Sequence, residues 1–223
     1  QKSSTYTYII ASGEGREALI IDPVIEHSDE YSTILKNLDL KLVKVIDTHI
    51  HADHISALNE LNKRTNCIRV MGEKSKSEVI DLRIKDGEKI NVEEVELQAI
   101  YTPGHTDCSY SFLMNDRVFT GDTLLINGSG RTDFQNGNAY DAYDSIFNKL
   151  LKLPEKTLVF PAHDYNGKKF STIENEKNNN PRLQVSSKEE YADIMNNLNL
   201  ANPKMMDVAV PANVKGLTLD NIN

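Results

Sequence analysis

The stretch His49-Ile50-His51-Ala52-Asp53-His54 puts three imidazoles and one carboxylate within six residues, directly behind the β-branched run Leu42–Ile46. A short run of that kind reads as a buried strand, so the polar cluster begins where a strand leaves the core. Burying that many polar groups leaves costly unpaired atoms unless something coordinates them. The chain must therefore fold so that other loops meet this one around a metal ion.

The remaining histidines indicate which loops. Of six in the chain, five lie in short loops directly after expected strands, three of them in the stretch above. His105 sits in "TPGHTD" after an expected strand over Glu94–Ile100, and His163 in "FPAHDY" after Thr157–Phe160. Gly121-Asp122, after Arg117–Thr120, adds a carboxylate, while His27 is left without a role. Taken singly, His105 or His163 reads as a surface or satisfied core group, and Asp122 as turn chemistry. Together the loops describe a site at one rim of a sheet. Mixed imidazole and carboxylate donors suit zinc, iron, nickel or manganese, whereas calcium and magnesium take oxygen alone. Spacing by two in an extended loop turns His49 and His51 the same way, which suits one ion bracketed by His49, His51 and His105. A second ion could lie among Asp53, His54 and His163, bridged through Asp122.

Hydrophobic periodicity supplies the scaffold. Tyr6–Ile10 and Ala18–Ile21 read as a hairpin around Gly13–Gly15, and Cys67–Met71, Lys89–Val92 and Ser109–Leu113 as further strands. Helices are expected over Asp29–Leu38, over Ala139–Leu151 with Pro154 closing it, and over Ser187–Asn197 with Ser187 and Glu190 as a capping box. A further helix is expected after the histidine motif, with Ile55, Leu58 and Leu61 on one side. Strands and helices interleave without a linker, so residues 1–223 read as one α/β or α+β domain.

Charge and cysteine content limit the partners. A net charge of −8 argues against a nucleic-acid partner, which requires a basic face. No apolar run is long enough to span a bilayer. Two distant cysteines, Cys67 and Cys108, give no disulfide framework and suit a reducing compartment. Cys67, in an expected strand, reads as buried, and Cys108 as a small packed residue. With no leader visible, the cytoplasm is the expected location, or the mitochondrial matrix for a eukaryotic source.

"THIHADHI", "TPGHTD", "FTGD" and "PAHDY", in this order, resemble the metallo-β-lactamase superfamily over about Asp22 to Tyr165. That resemblance implies an αββα sandwich, two mixed sheets packed face to face with helices outside. "EALIIDPV", "FTGDTLLINGSGRTDFQNG", "PAHDYNG" and the late "NPRLQ…NLNLANPKMMDVAVPAN" are similar to the persulfide dioxygenases almost end to end. Such enzymes oxidise glutathione persulfide with O2 to sulfite and glutathione at one Fe(II) per chain. The resemblance implies His49, His105 and Asp122 as the iron ligands. It makes His51, Asp53, His54 and His163 groups that surround the iron rather than bind it. It also implies a pocket for an anionic tripeptide, with Arg182, Tyr165, Arg131 and Thr106 as candidates and a short extension, about 170–223, completing it. For Arg131, a structural ion pair with Asp133 or in the neighbourhood of Asp122 is an equal expectation. A homodimer is suggested by resemblance alone.

The nearest rival is a glyoxalase II-type hydrolase of glutathione thioesters, which shares these motifs and would use Asp53, His54 and His163 for a second metal ion such as zinc. Only 60 residues follow His163, fewer than the helical C-terminal region that such hydrolases carry, and "GRTDF" favours the dioxygenase. A non-enzymatic sulfur carrier would need an exposed reactive cysteine, and a sensor an output surface; neither is legible.

Overall fold

The computed structural model describes residues 4–164, 166–201 and 205–222. Two mixed sheets form its centre. In the first, β1 (Tyr8–Ala11), β2 (Glu17–Ile21), β3 (Lys41–Ile46), β4 (Ile68–Gly72) and β5 (Leu82–Ile84) lie side by side in chain order. The β1–β2 pair is antiparallel, with Ala11 opposite Ala18, and β2 to β5 run parallel. The second sheet is built from β6 (Lys89–Val92), β7 (Val95–Tyr101), β8 (Tyr110–Leu113) and β9 (Arg117–Gly121) as an antiparallel meander. After the two-residue pair β10 (Leu124–Leu125) and β11 (Gly128–Ser129), β12 (Leu158–Pro161) returns parallel to β9, and β13 (Ser171–Thr172) closes that edge.

Period-two alternation sorts the side chains into layers. On β2, Leu19 and Ile21 point between the sheets, where they meet Ile46, Val70, Leu97, Phe112 and Phe119. Ala18 and Ile20 point the other way, against α1 (Ser28–Asn37) and α2 (Leu58–Thr65) through Tyr31, Leu35, Leu58 and Leu61. Val118 and Val159 cover the far face of the second sheet and pack against α3 (Ala139–Tyr143), α4 (Ile173–Asn179) and α5 (Lys188–Asn196). With α6 (Met206–Lys215) laid on the first sheet through Ala209 and Ala212, the layers are helix, sheet, sheet, helix. This is the αββα sandwich expected from the motifs. Among the described residues no helix is long and apolar enough to cross a membrane.

Local structure departs from the sequence expectations in places that have physical causes. The helix after the histidine motif begins at Leu58, and Ile55 is buried in the loop before it. The reason is polar: Ser56 Oγ accepts from Leu58 N–H and donates to Asp47, which holds residues 55–57 out of the helix. The expected helix Ala139–Leu151 starts on the Asn138 side chain, which caps Tyr140 and Asp141 N–H, but passes through a π-helical turn over Asp144–Lys149. It then tightens to a 3₁₀ turn over Leu150–Lys152, and Leu153 is extended ahead of Pro154, as the proline ring demands. The capping box at α5 is only half formed. Ser187 accepts from Glu190 N–H, but the Glu190 carboxylate accepts from Ser186 instead. Helix α6 carries Pro211 in its interior, an arrangement that costs one backbone hydrogen bond and hides the helix from a periodicity reading.

Gly104, one residue before His105, is a tight joint between the second sheet's loop and α3. Its φ of +138° is closed to ordinary side chains, and a Cβ there would lie 2.3 Å from the Ala142 backbone. Gly104→Ala should combine backbone strain with overpacking and destabilise the protein by about 2–5 kcal/mol. Denaturant unfolding measures this, and an unchanged midpoint would contradict the packing described.

Candidate metal centre

Four loops, each leaving the carboxyl end of a strand, bring the polar groups together. The β3 strand leads to His49, His51, Asp53 and His54, β7 to His105, β9 to Asp122 and β12 to His163. One ligand atom each from His49, His105 and Asp122 lie within 4.8 Å of one another, as do those of His51, Asp53 and His54. The His49 and His105 rings meet edge to face at 4.9 Å, and His105 Nε2 is 3.6 Å from Asp122 Oδ2. His163 Nε2 stands between two carboxylates, 3.5 Å from Asp53 Oδ2 and 3.6 Å from Asp122 Oδ1.

What each ring presents is decided by what its other nitrogen meets. Thr48 Oγ1 donates to Asp22 Oδ2 at 3.0 Å, so its lone pair is left to accept from His49 Nδ1–H, also at 3.0 Å. The His49 Nε2 lone pair is thereby free for a metal. His105 Nδ1–H donates to Arg131 C=O at 2.8 Å and His163 Nδ1–H to Ser4 C=O at 3.1 Å, again leaving Nε2 facing the centre. His51 is reversed: its Nε2–H donates to Asp22 Oδ1 at 3.1 Å, leaving Nδ1 as the inward atom.

Burial completes the electrostatics. Desolvation, reinforced by the neighbouring rings, holds the His49 and His51 pKa values well below the ordinary imidazole range, so both rings are neutral. Burial pulls the Asp122 carboxyl up, but the imidazoles of His163, His105 and His49 outweigh it and keep it ionised. For Asp53 burial is likewise outweighed, by a 3.1 Å hydrogen bond from His54 and by the surrounding imidazoles. Neutral imidazoles beside ionised carboxylates are the protonation states that metal ligands need. Among the described residues, His51 Nδ1, His54 Nε2 and Asp122 Oδ1 are buried without a hydrogen-bond partner. Buried polar atoms left unpartnered within two compact ligand groups are what cations would satisfy, so the residues present fit a metal ion.

The centre opens into a cavity of about 510 Å³. Arg182 and Arg131 lie on its wall with Leu125 and Leu200. Arg182 is half-buried, donates to Ser129 C=O, and forms no ion pair among the described residues; burial lowers its pKa. Arg131 is engaged elsewhere, in a two-pronged pair with Asp133 and in bonds to the Leu200 and Ala201 carbonyls. Of the two expectations for Arg131, the ion pair is what the structure displays. Thr106 corrects the sequence reading: it is fully buried, with Oγ1 2.7 Å from Ser109 Oγ, and does not line the cavity. Next to His105 in sequence, it points into the core because its neighbour points out. Tyr165 lies outside the described residues. Cys67 and Cys108 are both free and buried, and His27 pairs with Glu30.

The sequence reading overlooked Asp22. It is buried at the end of β2 with φ +50° and accepts from Thr48 N–H, Thr48 Oγ1 and His51 Nε2–H. Its signal, an aspartate before a proline at a strand end, is indistinguishable from ordinary turn chemistry.

The metallo-beta-lactamase superfamily model matches residues 2–163. The mouse (Mus musculus) protein "Persulfide dioxygenase ETHE1, mitochondrial" is 44% identical over 217 residues, covering 96% of this chain and 85% of that protein. A hydroxyacylglutathione hydrolase of Dictyostelium discoideum is 29% identical over 185 residues, covering 78% of this chain and 68% of that one. The crystal structure of ETHE1 from Myxococcus xanthus is 48% identical, with a TM-score of 0.93 over 95% of this chain and 94% of that chain. With the sandwich, the four loops and end-to-end likeness in agreement, the chain belongs to the metallo-β-lactamase superfamily and, within it, to the persulfide dioxygenases.

Proposed function

We propose that this chain is a persulfide dioxygenase that converts glutathione persulfide, O2 and water to sulfite and glutathione. The observation that carries the reading is the cluster of His49, His105 and Asp122 at the foot of a cavity whose wall carries Arg182, a guanidinium with no ion pair among the described residues. His49, His105 and Asp122 would hold a single Fe(II). Two imidazoles and one carboxylate on one side of such an ion leave adjacent positions open, and the iron supplies the redox chemistry between persulfide and O2.

The chain's own residues provide position and enclosure. Arg182, without a carboxylate partner among the described residues, would take a carboxylate of the tripeptide, and Leu125 and Leu200 would give it an apolar wall. His51, Asp53, His54 and His163 would surround the ligands, with Asp22 orienting the His51 ring and the Ser4 carbonyl that of His163. Tyr165 remains a proposed contact to the tripeptide. Residues 1–223 would act as one unit, the segment from about 170 onward completing the pocket; Arg182, Leu200 and Ala201 on the cavity wall support this. Two free buried cysteines suit a reducing compartment, cytoplasm or mitochondrial matrix, and the mouse relative's name points to the latter. A homodimer is part of the proposal by family likeness.

One observation supports a rival. His51, Asp53 and His54 also form a compact ligand group, and a second ion there would suit a glyoxalase II-type hydrolase. O2 uptake with glutathione persulfide, measured beside hydrolysis of a glutathione thioester, separates the two. We expect uptake and about one iron per chain by metal analysis; two zinc ions with thioesterase activity would sink the dioxygenase reading.

Two variants test the roles. His49→Ala and Asp122→Ala should each abolish iron binding, and iron at the unmodified level in either would remove that residue from the ligand set. Arg182→Ala should raise KM for glutathione persulfide while leaving kcat within about twofold, as expected when binding in ground and transition states is lost equally. An unchanged KM would place the carboxylate elsewhere.

A further inference from the structure

We infer that Asn213, on α6, is a positioning residue that holds the metal loop in its ligand-bearing shape from more than 150 residues away, with Gln135 assisting from the opposite side. The inference rests on the reading of His49–His54 as a metal loop, though not on which metal or reaction it serves.

The Asn213 side chain makes three hydrogen bonds to the backbone of that loop and the residues just after it. Its Nδ2 donates to His51 C=O at 2.9 Å and to His54 C=O at 3.0 Å, and its Oδ1 accepts from Ser56 N–H at 2.8 Å. Two carbonyls at one end and an N–H at the other leave the amide a single orientation. Among the described residues, no backbone N–H donates to the His51 or His54 carbonyl. Asn213 thus closes a backbone account that the loop cannot close itself.

The amide is held rigidly enough to act this way. Ala209 and Ala212 are buried small residues that let α6 lie close on the first sheet. The carbonyls at the end of α6 are capped by remote groups: Ser77 Oγ donates to Asn213 C=O, Glu78 N–H to Val214 C=O, and Asn59 Nδ2 to Gly216 C=O. Gly216 ends the helix at φ +67°, and a Cβ there would lie 2.4 Å from Val79. On the other side, Gln135 Nε2 donates to Ile50 C=O at 2.8 Å. Gln135 and Asn136 are successive non-glycine residues at φ +47° and +57°, a strained pair that the surrounding contacts must sustain. Three carbonyls of the loop, at Ile50, His51 and His54, are thereby fixed by two amide side chains from distant segments.

The substitution that separates positioning from packing is Asn213→Asp. It preserves shape and the acceptor for Ser56 N–H, but an ionised carboxylate cannot donate to the two carbonyls. Metal affinity of the full-length protein, measured with Fe(II) and with Zn(II) against a chelator, should fall about tenfold or more, the range seen when partners of metal ligands are removed. Amide hydrogen exchange across residues 50–56 of the metal-free protein should quicken. Gln135→Glu, at a half-buried position away from α6, should reduce metal affinity in the same direction. Val214→Ala serves as the packing control: it loosens the same helix and should lower the melting temperature without changing metal affinity at temperatures where the protein is folded. Affinity within about twofold of the unmodified protein in Asn213→Asp would overturn the inference, as would an equal loss in Val214→Ala. Neither result depends on O2 uptake, so failure here is distinguishable from failure of the dioxygenase reading.

Discussion

The carboxylate of Asp22 is the interaction on which the centre depends. It lies buried where β2 ends, and it accepts from the backbone and hydroxyl of Thr48 and from the ring of His51. Through Thr48 it also determines which nitrogen of His49 is protonated. One side chain therefore sets the ring states of two histidines. Burial pulls its pKa up, the cost of placing an anion beneath a sheet, and the Thr48 bonds and nearby imidazoles oppose that pull.

Around that anchor the fold supplies rigid strand ends, and the loops supply chemistry. The β3, β7, β9 and β12 strands differ in length and sheet, yet all deliver their polar residue at the carboxyl end, on one rim of the sandwich. The close joints there are tight on purpose of geometry: a Cβ on Gly130 would lie 2.1 Å from Asp122 C=O and 2.9 Å from His105 Nδ1. The segment that contains Gly130 thus packs directly on two of the candidate ligands. It also contributes the Arg131 carbonyl that orients His105.

Much of this was legible in the chain. Most strands of the sandwich core were legible because continuous apolar runs such as Ala18–Ile21 reflect burial on both faces, whereas the short β5 (Leu82–Ile84) was not read. The donor types and the order of the loops followed from the histidine positions. What escaped had specific causes. Pro211 and an alanine-valine composition concealed α6, and Ser56 delayed the start of α2. Thr106 looked available because it adjoins His105, but adjacent residues in that turn face opposite ways. For Arg131 the sequence left a pocket role and an ion pair equally open, and the structure displays the pair with Asp133.

The sequence by itself determined that imidazoles and carboxylates would gather at strand ends, because local apolar periodicity settles where strands stop and polarity begins. Only the tertiary structure decided which atom of each ring faces inward. That choice belongs to the partner of the other nitrogen: Thr48 for His49, Asp22 for His51, Arg131 for His105 and Ser4 for His163. Three of those four partners come from segments remote in the chain, and a hydrogen bond between remote segments exists only once the fold has brought them within 3 Å or so of each other.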